Sequence, residues 1–125
     1  MRRVIAGTLL AVAATAGSAL AHHSYSAYHL DRTIEIEGVL EVFAYMSPHS
    51  LLKVRAGDAT LYTAEWNAIA GLQRFGIDQD TLSPGDRLVI AGNPRRDIAE
   101  TGILNLRAVR RPADGWSWIA GGRGR

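Results

Sequence analysis

A run of alternating side chains over residues 33–45 does most to limit what this chain can fold into. Ile36, Leu40 and Val42 alternate with polar neighbours, which is the two-residue period of a strand buried on one face. Gly38 interrupts the row and predicts a bulge or a bend. A long, bent first strand is typical of small barrels, in which one strand takes part in both sheets.

The rest of the chain predicts four more strands and one short helix. We expect strands at residues 50–56, 59–66, 87–91 and 103–109, and a helix at 67–75 that Asn67 caps at its N-terminus. Three strands, a helix and two more strands in this order predict an all-β fold, a small OB-like five-stranded β-barrel with one short helix. An open five-stranded sheet or a sandwich is the alternative.

The first 21 residues predict a signal peptide helix that is removed after Ala21. Arg2 and Arg3 form the basic start, residues 4–16 are apolar or small, and Ala19-Leu20-Ala21 has the small residues of a cleavage site. A membrane anchor is the weaker reading, because spanning needs about 20 predominantly apolar residues. The predicted organisation is therefore a signal peptide at 1–21, an extended arm at 22–32, the barrel domain at 33–119 and a flexible tail at 120–125, in a periplasmic or secreted protein.

Charge and cysteine content exclude several classes of function. Removal of residues 1–21 takes Arg2 and Arg3 from the 14 basic residues and none of the 12 acidic ones, so the mature chain carries equal numbers. A neutral domain gives no reason to expect nucleic acid as a partner, or a stable membrane attachment after cleavage. Cysteine is absent, which excludes disulfides and thiolate metal sites.

Histidines supply the candidate metal ligands. After cleavage, the free amine and the ring Nδ1 of His22 can chelate one ion, and His49 after Pro48 can add a third nitrogen. Such a planar nitrogen set suits copper; zinc is the second choice. His23 could replace His49 or act as a fourth ligand. The alternative is that the first two histidines are frayed terminal residues and that His49 hydrogen-bonds within its turn.

Several segments together resemble a known family. They are Ala21-His22-His23-Ser24, Ile36-Glu37-Gly38-Val39-Leu40, Pro48-His49-Ser50 and Leu82-Ser83-Pro84-Gly85-Asp86. This pattern resembles a family of small exported bacterial proteins of unassigned function, which have an Ala-His-His-Ser mature start and a Pro-His turn motif. The resemblance implies export and a small β-barrel, and it supplies no activity. Ser47 departs from the family pattern, which usually has Asn before Pro-His.

Other function classes are less well supported by the residues. No nucleophile elbow is present, so we expect no enzyme. The alternative to metal binding is a metal-free module that binds a small ligand or a protein on a face of the OB-like sheet. Aromatic side chains could provide its stacking surface: Phe43, Tyr45, Trp66, Trp116 and Trp118.

The predicted cleavage has a direct test. Protein recovered from the periplasm of an expressing bacterium is expected to have the intact mass of a chain that begins at His22, because the small residues at 19 and 21 fit the signal peptidase. Mass spectrometry of the purified protein measures this. A mass that includes Met1 would contradict the prediction. It would also mean that His22 has no free amine to act as a ligand.

Overall fold

The computed structural model describes residues 25–122, and strands are their main regular structure. The predicted signal peptide, His22, His23 and the last three residues lie outside this range. Six strands lie within this described range: β1 (Ile34–Ala44), β2 (Leu51–Ala56), β3 (Leu61–Glu65), β4 (Arg87–Pro94), β5 (Ile103–Arg111) and β6 (Trp116–Ile119). A short α-helix, α1 (Ile69–Gln73), joins β3 to β4, and a 3-10 helix (Ile98–Glu100) lies between β4 and β5.

Strands β1 to β5 close into a barrel. The sheet order is β3-β2-β1-β4-β5-β6, and β3 also pairs with β5. This closing pair is parallel, with Glu65 opposite Asn105, whereas the other neighbouring strands are antiparallel. The OB-like five-stranded barrel that the sequence predicts is confirmed, and the open sheet or sandwich alternative is wrong.

The bend of β1 arises differently from the prediction. Residues 38–44 of β1 pair with β2 and residues 34–39 pair with β4, so one strand belongs to both sides of the barrel. The irregular register lies between Leu40 and Val42, beyond Gly38. Gly38 has another role, because a Cβ atom there would lie 2.4 Å from the backbone oxygen of Arg55. The glycine therefore permits the close approach of β1 and β2.

Leucine, isoleucine and tryptophan side chains fill the barrel. Leu52, Leu88 and Ile90 have no exposed surface, and burial of each such side chain stabilises the fold by about 1.5–3 kcal/mol. The Trp66 and Trp118 rings meet edge to face with centroids 5.2 Å apart and are both buried. These two tryptophans are core residues, so they do not form an exposed stacking surface.

Two local features differ from the sequence prediction. Residues 116–119, for which no strand is predicted, pair with β5 as β6. Helix α1 spans five residues, and its N-cap is Ala68, which makes no side-chain hydrogen bond. The prediction of Asn67 as the cap is wrong; the amide of Ile69 donates instead to Oγ of Ser47 at 3.3 Å. This bond ties the loop between β1 and β2 to the start of the helix.

Residues of the predicted arm lie against the end of β4. Tyr28 forms a β-bridge with Arg95, and the amide of His29 donates to the oxygen of Pro94 at 2.9 Å. The amide of Arg96 donates to the oxygen of Ala27 at 2.8 Å. Within residues 25–122, no helix has the length and apolar character needed to cross a membrane.

The close contact at Gly38 makes a testable prediction. Gly38→Ala is expected to lower the free energy of unfolding by about 1–3 kcal/mol, because the added methyl group must displace the backbone of β2. Gly57→Ala is the matched control, since a Cβ there meets nothing within 4 Å. Urea denaturation of residues 22–125 measures both. Equal stability of the two variants would contradict the assignment.

Candidate functional site

A cavity of about 260 Å³ opens on the outer side of the barrel, where the arm, the loop between β1 and β2, and the end of β3 meet. Its walls combine aromatic rings with polar groups able to bind a ligand. The lining residues are Tyr25, Tyr28, Pro48, His49, Glu65, Trp66, Asn67, Ala68 and Asn105.

The backbone next to His49 is held firmly by its neighbours. Ser50 is fully buried, and its hydroxyl both accepts from the amide of Met46 at 3.2 Å and donates to the oxygen of Met46 at 3.0 Å. Its amide donates to the oxygen of Asn67 at 3.1 Å, and its own oxygen accepts from the amide of Trp66 at 2.8 Å. His49 itself is exposed, so its ring is available at the cavity rim.

A buried tyrosine and an ion pair hold Glu65 in the cavity wall. Tyr28 is 4 % exposed as a residue, and its hydroxyl donates to Oε2 of Glu65. Nη1 of Arg95 lies 3.5 Å from Oε1 of Glu65, and Nε of Arg95 lies 2.6 Å from Glu100. The guanidinium also lies over the Tyr28 ring, 5.5 Å from its centroid. Burial and the hydrogen bond to Glu65 raise the pKa of Tyr28 well above its ordinary value.

Two buried N–H groups belong to residues of the cavity wall. Nε1 of Trp66 and Nδ2 of Asn105 have no hydrogen-bond acceptor among residues 25–122. A buried donor without a partner costs about 1–3 kcal/mol. Both donors are buried, and no acceptor in the described part of the protein pairs with either of them.

The structure brings one of the predicted metal ligands to the cavity. His49 lines it, and so does Tyr25, the third residue after His22. His22 and His23 lie outside the described residues. In the part of the chain that the structure describes, no three histidine, aspartate or glutamate side chains lie close enough together to hold a metal ion.

The sequence analysis assigned no site role to five polar residues that line this cavity: Tyr25, Tyr28, Glu65, Asn67 and Asn105. The alternation of β3 does indicate that Glu65 faces outward, since Ala64 and Trp66 on either side are buried. No local pattern links it to Tyr28, which is 37 residues away in the chain. Only the folded structure shows that Tyr28 and Glu65 are in contact.

A larger groove of about 590 Å³ crosses the outer face of β1 near Gly38. Its charged side chains pair with one another: Arg55 with Glu41, and Arg87 with Glu37 at 3.3 Å. The charged groups of this groove thus have partners of opposite charge within the groove itself.

Comparison with known proteins places the chain in a family without an assigned activity. A family model described as a family of unknown function (DUF6152) matches residues 9–105. This segment includes both histidine motifs and every residue that lines the cavity. Searches of curated proteins and of solved structures find no match. The match therefore supports the predicted resemblance to a family of unassigned function, and it indicates no activity for this chain.

Tyr28 gives a prediction for stability at high pH. In the unfolded chain its hydroxyl loses a proton above about pH 10, whereas the raised pKa keeps the folded protein protonated there. The unfolded state then binds fewer protons, so the free energy of unfolding falls as the pH rises. Urea denaturation at about pH 8 and about pH 11 should show a smaller fall for Tyr28→Phe than for the wild type. Parallel falls in the two proteins would contradict this.

Proposed function

This chain belongs to DUF6152, and we propose that it binds a transition-metal ion outside the cytoplasm, copper in preference to zinc. The proposed ligands are the amine and ring nitrogen of His22 and the ring of His49. His23 is a fourth ligand or a substitute for His49. The role is binding, without catalysis.

One observation carries the proposal: Tyr25 and His49 line the same cavity. Each residue of an extended chain spans at most about 3.3–3.6 Å, so His22 lies within about 11 Å of Tyr25 along the backbone. The start of the mature chain therefore has the reach to meet His49. His49 is exposed, and hydrogen bonds hold the backbone of the adjacent Ser50, so His49 offers a ready partner.

The donor set favours copper on chemical grounds. A chelate of amine and imidazole plus a second imidazole gives three nitrogen ligands, which suit the tetragonal geometry of Cu(II). The amine exists only after cleavage at Ala21, so the precursor lacks one ligand. This dependence accords with an exported protein whose metal site forms after its signal is removed.

A second candidate is a metal-free cavity for a small ligand. The observation that favours it is the pair of unsatisfied donors, Nε1 of Trp66 and Nδ2 of Asn105, on residues of the wall. The volume of about 260 Å³ lies just below the range of about 300–1,000 Å³ typical of pockets for drug-sized molecules. Such a ligand would be small and would accept hydrogen bonds. Copper would then have no specific site.

Copper titration of the mature protein tests the proposal. One equivalent of Cu(II) added to residues 22–125 is expected to give a single electron paramagnetic resonance signal with nitrogen couplings. His49→Ala should weaken binding on the order of 100-fold, the upper end of the losses known for groups that support metal ligands. A chain with one extra residue before His22 should also lose this signal, because the amine of His22 is then part of a peptide bond and cannot bind the ion.

His29→Ala is the matched control. His29 lies on the arm, outside the cavity lining, so its removal should leave the affinity and the spectrum unchanged. Binding that is equal in the wild type and in His49→Ala would refute the proposed site. If Zn(II) binds more tightly than Cu(II) in competition, the proposed ligands stand and the preference for copper is wrong.

A further inference from the structure

Strands β1, β4, β5 and β6 present a continuous face with two rows of side chains. In the first row, the antiparallel register places Glu37 opposite Val89, Val89 opposite Arg110, and Arg110 opposite Ser117. Residues directly opposite each other in antiparallel strands share one face of the sheet. The second row consists of Glu35, Ala91, Ala108 and Ile119. The eight residues of the two rows are called the β4 face below.

The β4 face lies on the outside of the barrel. Leu88 and Ile90, the neighbours of Val89 along β4, belong to the core, and Val89 does not. Because successive side chains of a strand point to opposite faces, both rows point away from the core. Ile119 is 63 % exposed, and Glu35 is exposed as well. The face is therefore open to a partner.

Opposite charges lie on the two sides of this face, with apolar residues between them. Glu35 and Glu37 are exposed on β1, and Arg110 is exposed on β5. The middle strand contributes Val89 and Ala91. Among residues 25–122, neither Glu35 nor Arg110 forms an ion pair. The face thus carries an acidic side and a basic side whose charges lie two strands apart.

This distribution is complementary to itself under a two-fold rotation. An axis that runs along β4 places β1 of one copy over β5 of the other, so Glu37 faces Arg110 of the second copy, and the contact occurs twice. The apolar residues of β4 then meet at the centre. Stacked sheets lie about 10 Å apart, a gap that glutamate and arginine side chains can bridge. An axis across the strands would instead place β1 over β1 and bring like charges together.

Glu37 has capacity for an arginine of a second copy. Its Oε1 lies 3.3 Å from Nη1 of Arg87, and its side chain is 61 % exposed. This is its one ion pair among the described residues, and a carboxylate offers about four lone-pair positions. Glu37 can therefore lie between Arg87 of its own chain and Arg110 of the other. It also compensates the charge of Arg87, which lies near the two-fold axis.

We infer that the β4 face is the docking site for a second copy of this chain, in a two-fold symmetric dimer held by reciprocal pairs of Glu37 with Arg110. This inference is independent of the proposed metal site. Four short strands form a face smaller than the about 800 Å² per partner of a standard interface. The dimer is accordingly weak and dissociates on dilution.

Sedimentation of residues 22–125 in the presence of EDTA tests the inference without any contribution from metal. From about 1 mM to about 1 µM protein, the wild type should change from dimer to monomer. Arg110→Glu should raise the dissociation constant about 10-fold or more, because each dimer loses two attractive pairs and gains two repulsive ones. The matched control is Arg74→Glu, which makes the same charge change at the exposed end of α1, outside the β4 face. Its dissociation constant should equal that of the wild type.

A mixture of two variants tests the symmetry of the dimer. Glu37→Arg alone and Arg110→Glu alone should each dimerise poorly, since like charges face each other in both. Mixed in equal amounts, they should form a heterodimer, because Arg at position 37 then faces Glu at position 110 and Arg110 faces Glu37. Sedimentation with a fluorescent label on one variant measures this association. The mixture also shows that both variants are folded.

Each result supports or overturns the inference. A wild type that stays monomeric at about 1 mM would overturn it, as would a dimer that Arg110→Glu leaves unchanged, because such a dimer uses another surface. Two weakly associating variants that do not pair in the mixture would overturn the two-fold arrangement. Dimerisation of the wild type, its loss in each variant and its return in the mixture support the proposed docking site.

Discussion

The parallel pairing of β3 with β5 is the constraint on which the rest of this structure depends. Without it, β3 and the first residues of β5 would be free edges with unpaired amide and carbonyl groups, since β6 covers only residues 108–111 of β5. The pairing joins Ala64 to Leu104, both buried, and so completes the core. It also brings Glu65 beside Asn105 on the outer face. Closure of the barrel and assembly of the cavity wall therefore arise from the same contact.

The arm covers this seam and gives the cavity its remaining wall. Tyr28 is buried although it precedes the barrel, because it pairs with Arg95 and donates to Glu65. The anchored arm carries Tyr25 to the cavity that His49 lines. The hydrogen bond between Tyr28 and Glu65 thus links the arm to the barrel.

Several features of the fold follow from short stretches of sequence. The two-residue period of residues 33–45 indicates β1, because alternation along a strand depends only on neighbouring side chains. Turn chemistry likewise separates β2 from β3. Local rules fail where a distant group competes: Ser47 takes the amide of Ile69 that a cap at Asn67 would have served. The sequence did not predict strand β6, because residues 116–119 become a strand by pairing with β5, which is not adjacent in any local pattern.

Residue order alone indicates strands β1 to β5 and their order around one short helix, because period and turn propensity are properties of a few consecutive residues. The cavity has a different origin. Tyr28 meets Glu65 across 37 positions, and Glu65 meets Asn105 through a parallel pairing with no hairpin to signal it. Such contacts depend on which strands become neighbours when the barrel closes, and tertiary packing makes that choice.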